Sequence, residues 1–290
     1  GNAYRSGTLS LTGNSTAETV IGQRVTADVD GYQDDALGTY TGSANALIER
    51  PDHVFKFIWC ELLGLSAADL ELPGAIIRAA TAFDDYVFAL LINDPLNADD
   101  LLMRLALQCR SRFIIKPTGK AMLRIRLVGL GAYQSIPKNE IKRDSLSISR
   151  SQTAEIFNIF NIHYGLDLSK SPGDPASYAG SVNFQDATSI SRYGQREWKG
   201  AQDLFCFNAV RDADMAESVG NYLLMYHCRA RAMPKFGVFL DNMEVEPGDV
   251  VDITHDLDGM SGFEIEVLKV IHHIGNRRQV DWLEITGVDS

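Results

Sequence analysis

The sequence predicts an α+β protein in which small antiparallel, β-barrel-like domains combine with an α/β domain. Two observations carry this. The last fifth, Lys235 to Val288, alternates apolar and polar residues between clusters of Gly, Pro, Asn and Asp, and a period of two bounded by turn formers marks antiparallel strands. Upstream, three stretches repeat apolar residues at three and four, the period of a helix buried on one face. Four consecutive strands leave two edges, which a small barrel removes by closing. The expected organisation has three parts. Residues 1–50 form a strand-rich, partial barrel, residues 51–140 an α/β domain, and residues 141–290 a barrel-like domain with one long helix.

Residues 1–50 are rich in Gly and Thr, with short alternating pieces such as Thr8-Leu9-Ser10-Leu11. Arg50-Pro51 opens the first helix, because Pro at the first helical position loses no hydrogen bond. Val54, Phe55, Ile58 and Leu62 share its apolar face, and Gly64 supplies the left-handed stop. A short turn of helix over Ser66–Leu70 and a helix over 75–82 follow. The unbroken apolar run from Tyr86 to Ile92 reads as a buried strand. Asn97 then caps a helix whose buried face is Leu102, Leu105, Ala106, Cys109 and Phe113. Phe113-Ile114-Ile115 and Leu123, Ile125, Leu127 flank the turn Pro117-Thr118-Gly119-Lys120 as a hairpin, which puts Arg124 and Arg126 on the opposite face.

After a connector over 129–139, strands are expected at Leu146–Ile148 and over 156–164, with a loop at 168–178 holding Pro172 and Pro175. A long helix from about Asn208 to Met233 carries Ala216, Val219, Leu223, Tyr226 and Ala230 on one side and stops at Pro234. The terminal strands come next: Phe236, Val238 and Leu240; Val250, Val251 and Ile253 after the turn Glu246-Pro247-Gly248-Asp249; then Phe263 to Val270 and Val280 to Ile285. Their turns fall at Asp258-Gly259 and Gly275-Asn276.

Composition narrows the function. The 290 residues are 45% hydrophobic and 22% charged, with a formal net charge of −11. Such an acidic surface repels phosphate backbones and disfavours sequence-independent nucleic-acid binding. No apolar run reaches membrane-spanning length. The chain opens at Gly1 rather than Met, which suits a portion of a longer protein. Cys60, Cys109, Cys206 and Cys228 are scattered among apolar neighbours and read as buried thiols.

Catalytic signatures are missing: there is no H-E-x-x-H, G-x-S-x-G or G-x-G-x-x-G, and Gly119-Lys120 lacks the rest of a phosphate loop. The acids Asp28, Asp30, Asp34 and Asp35, and again Asp256 and Asp258, match a calcium loop only in part, so solvated loop acids are the better reading. His272-His273 alternate across a strand and cannot share a metal; one is expected in the core and one outside. His53, His163, His227 and His255 stand alone in sequence. Acid pairs such as Asp84-Asp85 and Asp99-Asp100 fall on exposed surface or face apart. The expectation is therefore no enzyme and no catalytic, cofactor-binding or metal residue. Trp198, Trp282 and Tyr193 are the candidates for an exposed aromatic surface, against the commoner reading of packed aromatics.

Several segments, taken in order, resemble phage and prophage tail proteins of the tail hub, or baseplate hub, family, including tail proteins of Mu-like prophages. They are Arg50-Pro51-Asp52-His53-Val54, the stretch from Asn97 to Gly119, Asn158 to Gly165, Ser189 to Arg196 with its Ser-Ile-x-x-Tyr-Gly, the helix around Ala213–Arg231, and Glu246-Pro247-Gly248-Asp249-Val250-Val251. The resemblance implies a virion structural protein of the tail, made in the host cytoplasm and assembled as a homotrimeric ring that joins the tail tube to the tip or puncturing device. It implies partners among tube, baseplate and tip proteins, without specific nucleic-acid binding or a membrane span. Residues 1–50 look short for the family's first barrel. The competing functions are a tail-tip cell-wall hydrolase and a receptor- or carbohydrate-binding module. For ring contacts, the strands Phe236–Glu244, Gln279–Ile285 and Thr8–Leu11 are the expected edges.

Overall fold

The computed structural model describes residues 31–71, 83–92, 97–116, 119–126, 132, 134–198, 205–240, 244–256, 260–274 and 280–289. The strand expected at Thr8–Leu11, the helix expected over 75–82 and the turns expected at Asp258-Gly259 and Gly275-Asn276 lie outside these residues.

The first helix, α1, runs Pro51–Phe57 with Pro at its start, then widens into a π-turn over Ile58–Leu62. The wider turn changes which residues face inward. Leu63 N–H bonds Ile58 O and Leu65 N–H bonds Trp59 O, so the face rotates, Trp59 is buried and Leu62 is left 53% exposed. A regular 3.6-residue repeat would have put Leu62 inside. Gly64 stops the segment at φ +66° as expected, and Ser66 caps one turn of 3₁₀ helix, Ala67–Asp69. The segment 86–92 is not a strand. It makes a single bridge, Phe88 to Val210, and Leu91 and Ile92 are exposed.

A three-stranded sheet in the order β1-β3-β2 follows, from β1 (Leu70–Glu71), β2 (Ser111–Ile115) and β3 (Ala121–Ile125). The helix α2 (Ala98–Gln108) packs on it, capped by the Asn97 side chain, which accepts the Asp99 N–H at 3.0 Å. Two eight-residue strands, β6 (Ile159–Leu166) and β7 (Tyr178–Gln185), form an antiparallel ribbon. The short α3 (Ala187–Tyr193) and the long α4 (Ala213–His227) follow it. One apolar core joins these parts, with Phe55, Leu105, Leu123, Ile162, Phe184, Phe207, Met215 and Val219 among its buried members. Its residues come from both sides of position 140.

The helix α4 is shorter than expected at both ends. Residues 206–210 are extended because they bridge His163 and Phe88, and the Asp212 carboxylate caps the helix by accepting the Met215 N–H at 2.7 Å. At the other end, Arg231 is drawn into a ladder: Ser151 N–H bonds Arg231 O, and Arg231 N–H bonds the Ser151 hydroxyl, both at 2.9 Å. Pro234 therefore ends no helix. It sits in β8 (Ala232–Val238), outside the stretch paired with β11 (Val280–Asp289), whose register starts at Lys235, so its missing N–H removes no bond from that ladder.

The terminal strands form a six-stranded sheet in the order β4-β9-β10-β11-β8-β5, with β4 at Gln134–Ile136, β5 at Ser147–Arg150, β9 at Val250–Ile253, β10 at Phe263–Ile274 and β11 at Val280–Asp289. One face carries a second core of Ile136, Ile141, Phe236, Val238, Val251, Ile253, Ile265, Val267, Leu283 and Ile285. The barrel-like domains expected from the alternation are not closed barrels: the ladder ends at β4 and β5. These two ends are consecutive in sequence, and the segment between them is tied back to β8 by one bridge, Ile141 to Val238. The turn at Pro247-Gly248 leads into β9 of the same sheet, with β8 three places away. Both β8 and β11 are paired on two sides. The stretches expected as edges at 236–244 and 279–285 are thus largely interior, and β4 and β5 are the outer strands of this sheet.

Candidate functional site

Two polar constructions hold this fold together. The first is a knot at Asn158, which is fully buried. Its amide donates to the Ser189 hydroxyl at 2.9 Å and to Gly194 O at 3.0 Å, and its carbonyl oxygen accepts the Arg196 N–H at 2.8 Å. Ser189 in turn donates to Cys228 O. Two of the separate sequence segments that carry the family resemblance, around Asn158 and Ser189–Arg196, therefore meet here. A buried amide left unpaired costs about 1–3 kcal/mol, so the polar residues at these positions have a structural reason. The Ser189 hydroxyl is bonded to an amide and a carbonyl rather than to a base, so it is not arranged as a nucleophile.

The second construction is a seam of arginines between the three-stranded and six-stranded sheets. Arg112 lies directly opposite Arg124 across the β2–β3 hairpin. One step on, Arg126 N–H bonds Arg110 O at 2.7 Å. Alternation along the strands puts these side chains on one face, while Leu123 and Ile125 enter the core on the other. Arg110 follows α2 with φ +55°, a left-handed turn that usually falls to Gly.

The six-stranded sheet and the turn before β9 answer with carboxylates. Arg124 pairs with Asp249, and its Nε donates to Gly248 O at 3.1 Å. Glu266 offers one oxygen to both Arg112, at 3.4 Å, and Arg126, at 3.3 Å. Lys116 bridges Glu71 and Glu246 at 2.6 and 2.7 Å. The end of α4 supplies aromatic faces: Arg110 lies over Tyr222, and Arg126 and Arg231 lie over Tyr226. Gly248 is needed twice, for its φ of +92° and because a Cβ there would come within 3.2 Å of Arg124 Cγ. Burial pushes the Asp249 and Glu266 carboxyls up, and the neighbouring guanidiniums only partly offset it. Burial also lifts the Tyr222 hydroxyl to about 12.

Of the remaining polar and aromatic candidates among the described residues, none joins a reactive cluster. Asp28, Asp30 and Asp258 lie outside the described residues. Asp34 is 4% exposed and accepts the N–H groups of Asp35, Tyr40 and Thr41 and the Thr41 hydroxyl. Burial opposes its charge, but those bonds outweigh burial and hold it at about 2. Asp35 likewise caps Leu37 and Thr39, so both acids organise a loop. Asp256 pairs with Lys138, Asp84 with Arg50 at 2.9 Å, and Asp85, Asp99 and Asp100 are exposed. His227 stacks on Phe157 at 4.3 Å, and burial, with Arg231 and Arg126 nearby, lowers it to about 4. His53 and His163 are half-buried and lowered by burial, while His255 donates its backbone N–H to Met260 O at 2.8 Å.

Neither His272 nor His273 enters the core: His272 is exposed and His273 half-buried. His273 stacks flat on Trp282 at 3.8 Å, and Lys142 Nζ sits 4.0 Å from the same ring. Trp198 packs edge-on to Phe157 and Phe205, and Tyr193 lies under Arg192. The aromatics are already in use. The four cysteines are free thiols, with Cys109 and Cys206 buried and Cys60 and Cys228 half-buried. Among the described residues no three His, Cys, Asp or Glu side chains converge to hold a metal ion, and no helix is long and apolar enough to cross a membrane. A depression of about 350 Å³ is lined by Phe160, Asn161, His163, Asn183, Glu197 and Trp198, among others.

No protein-family model and no curated protein matches the sequence. Solved structures do match the fold. The 43 kDa tail protein of prophage MuSo2 from Shewanella oneidensis aligns with a TM-score of 0.50 at 13% identity, over 83% of this chain and 64% of that one. The chain shares a phage tail protein's fold. A tail protein from Neisseria meningitidis aligns at 0.46 and 9% identity, over 71% of this chain and 59% of that one. Prophage tail protein gp18 from Listeria monocytogenes aligns at 0.43 and 14%, over 82% and 63%. The chain spans about three-fifths of the length of these proteins. The arginine seam is the feature that sequence reading missed. Its signal was present in the placement of Arg124 and Arg126 on one face, but their acidic partners lie more than a hundred residues away.

Proposed function

We propose that the chain is a structural component of a phage or prophage tail, a tail hub or baseplate protein whose copies form a ring joining the tail tube to the tip. The observation that carries this reading is the shared fold with the prophage MuSo2 tail protein across 83% of the chain. The sequence segments that resemble hub proteins support it, and the Asn158 knot, where two of those segments meet, is spent on structure. The chain acts mechanically in this reading. The charged seam locks two sheets into one unit, and outer strands are left to meet other copies, since unpaired strand edges bond across subunits. A ring requires head-to-tail contacts that close by rotation, and a homotrimer is the expected closure. Light scattering over a concentration series tests it. A species near three times the 32.0 kDa chain mass supports the ring, and a stable two-fold dimer burying β4 and β5 counts against it.

A further inference from the structure

The arginine seam is short of negative charge. Arg110, Arg112, Arg124, Arg126 and Arg231 converge on it, and the carboxylates that meet them are Asp249, Glu266 and Asp289. Asp289 is itself shared with Arg229, at 3.6 Å. In a chain of net charge −11, a local excess of half-buried cations is unusual, and like charges placed directly opposite on a hairpin destabilise it. Donors are left over as well. Arg110 Nε and Arg126 Nε are both buried without an acceptor. The two residues are in contact: Arg110 Nη2 donates to Arg126 O at 3.3 Å, while Arg110 Nη1 donates to the Ser218 hydroxyl at 3.2 Å. Glu266 satisfies its two arginines through one shared oxygen, at the long distances of 3.3 and 3.4 Å. Arg112 is a third exposed, whereas Arg126 is 16% exposed and Arg231 5%. The seam therefore opens to solvent at Arg112 and deepens toward Arg126.

We propose that this seam binds an oxyanion, with Arg110, Arg112 and Arg126 as its donors. Guanidinium forks match the geometry of phosphate and carboxylate oxygens, and each bond to a charged acceptor is stronger than a neutral one. An anion there supplies the missing counter-charge and accepts the idle Nε–H groups. Tyr222 and Tyr226 hold the forks in place by stacking beneath them. The oxyanion arrives either as a free phosphate-type ion or as the carboxylate of an acidic segment on a neighbouring protein.

The test uses the full chain at fixed ionic strength, titrated calorimetrically with inorganic phosphate and, separately, with a glutamate-rich peptide, against sodium chloride. The expected result is saturable uptake near one per chain, with a rise in the thermal midpoint that chloride does not give. Arg126→Met should weaken binding about tenfold or more, and Lys142→Met, whose ammonium lies over Trp282, should leave it unchanged. If Arg126→Met fails to fold, Arg112→Gln at the exposed mouth replaces it, with the same expectation. Phosphate uptake alone identifies a free ion, and peptide uptake alone identifies a partner's carboxylate. No saturable uptake of either by the unaltered chain overturns the proposal, as does uptake that survives both arginine substitutions.

Discussion

The ring of Phe184 in β7 lies directly on Gly220 of α4: a Cβ built on that glycine would come within 2.1 Å of Phe184 Cζ. The helix and the ribbon can touch this closely only because position 220 has no side chain. Phe184 cannot move aside cheaply, since it is buried and stacked on Phe160 at 5.2 Å. Glycine inside a helix costs about 1 kcal/mol relative to alanine, so on propensity alone Gly220→Ala should stabilise. Overpacking a filled core costs about 1–3 kcal/mol, and here it wins. Gly220→Ala is expected to lower stability to chemical denaturation.

The π-turn after α1 makes an unusual pair of expectations. Trp59→Ala removes a buried indole that donates to Ser66 O at 2.9 Å and should cost about 3–5 kcal/mol. Leu62→Gln, at a position that simple helical spacing would bury, should cost less than about 0.5 kcal/mol, as exposed positions do. Equilibrium urea unfolding of the two variants checks both. A large effect of Leu62→Gln would mean that the helix continues with its ordinary repeat.

Asp34 gives the acid limb of stability a specific origin. Its carboxyl is held at about 2 in the folded chain against an ordinary 3.8. A lowered folded pKa contributes stability above pH 3.8 and loses it as the pH falls through about 2. The Asp249 and Glu266 carboxyls are shifted the other way, by burial, so their contribution is present below their ordinary range and declines as the pH rises through their folded values. Asp34→Asn is expected to destabilise at pH 6, with the gap to the unaltered chain closing between pH 4 and 2. A gap that stays constant across that window would exclude the loop carboxylate as its cause.

How far the sequence led is visible in particular residues. Pro51, Gly64, Asn97 and the alternation at Val251, Ile253, Ile265 and Leu283 identified helix starts, stops and strand faces, because those signals are local. The widening at Ile58–Leu62 was hidden, since a π-turn has no compositional mark. The ends of α4 were set by Ser151 and His163, partners distant in sequence, against a local pattern that ran on to Met233. The order of the six-stranded sheet was equally out of reach, because β4 and β5 join it from a hundred residues upstream. The pairing of Arg124 with Asp249 and of Arg126 with Glu266 could not be read before the two sheets were placed together.

The central claim is that this chain is a built-in part of a phage or prophage tail. Electron cryomicroscopy of purified tail particles from cells that carry the encoding prophage, combined with quantitative mass spectrometry of the same particles, tests it most directly. The expected result is the chain's peptides in a fixed ratio to the tube subunit, with density for the six-stranded sheet repeated around a threefold axis where tube meets tip. Intact, infective particles that lack the chain altogether would contradict it.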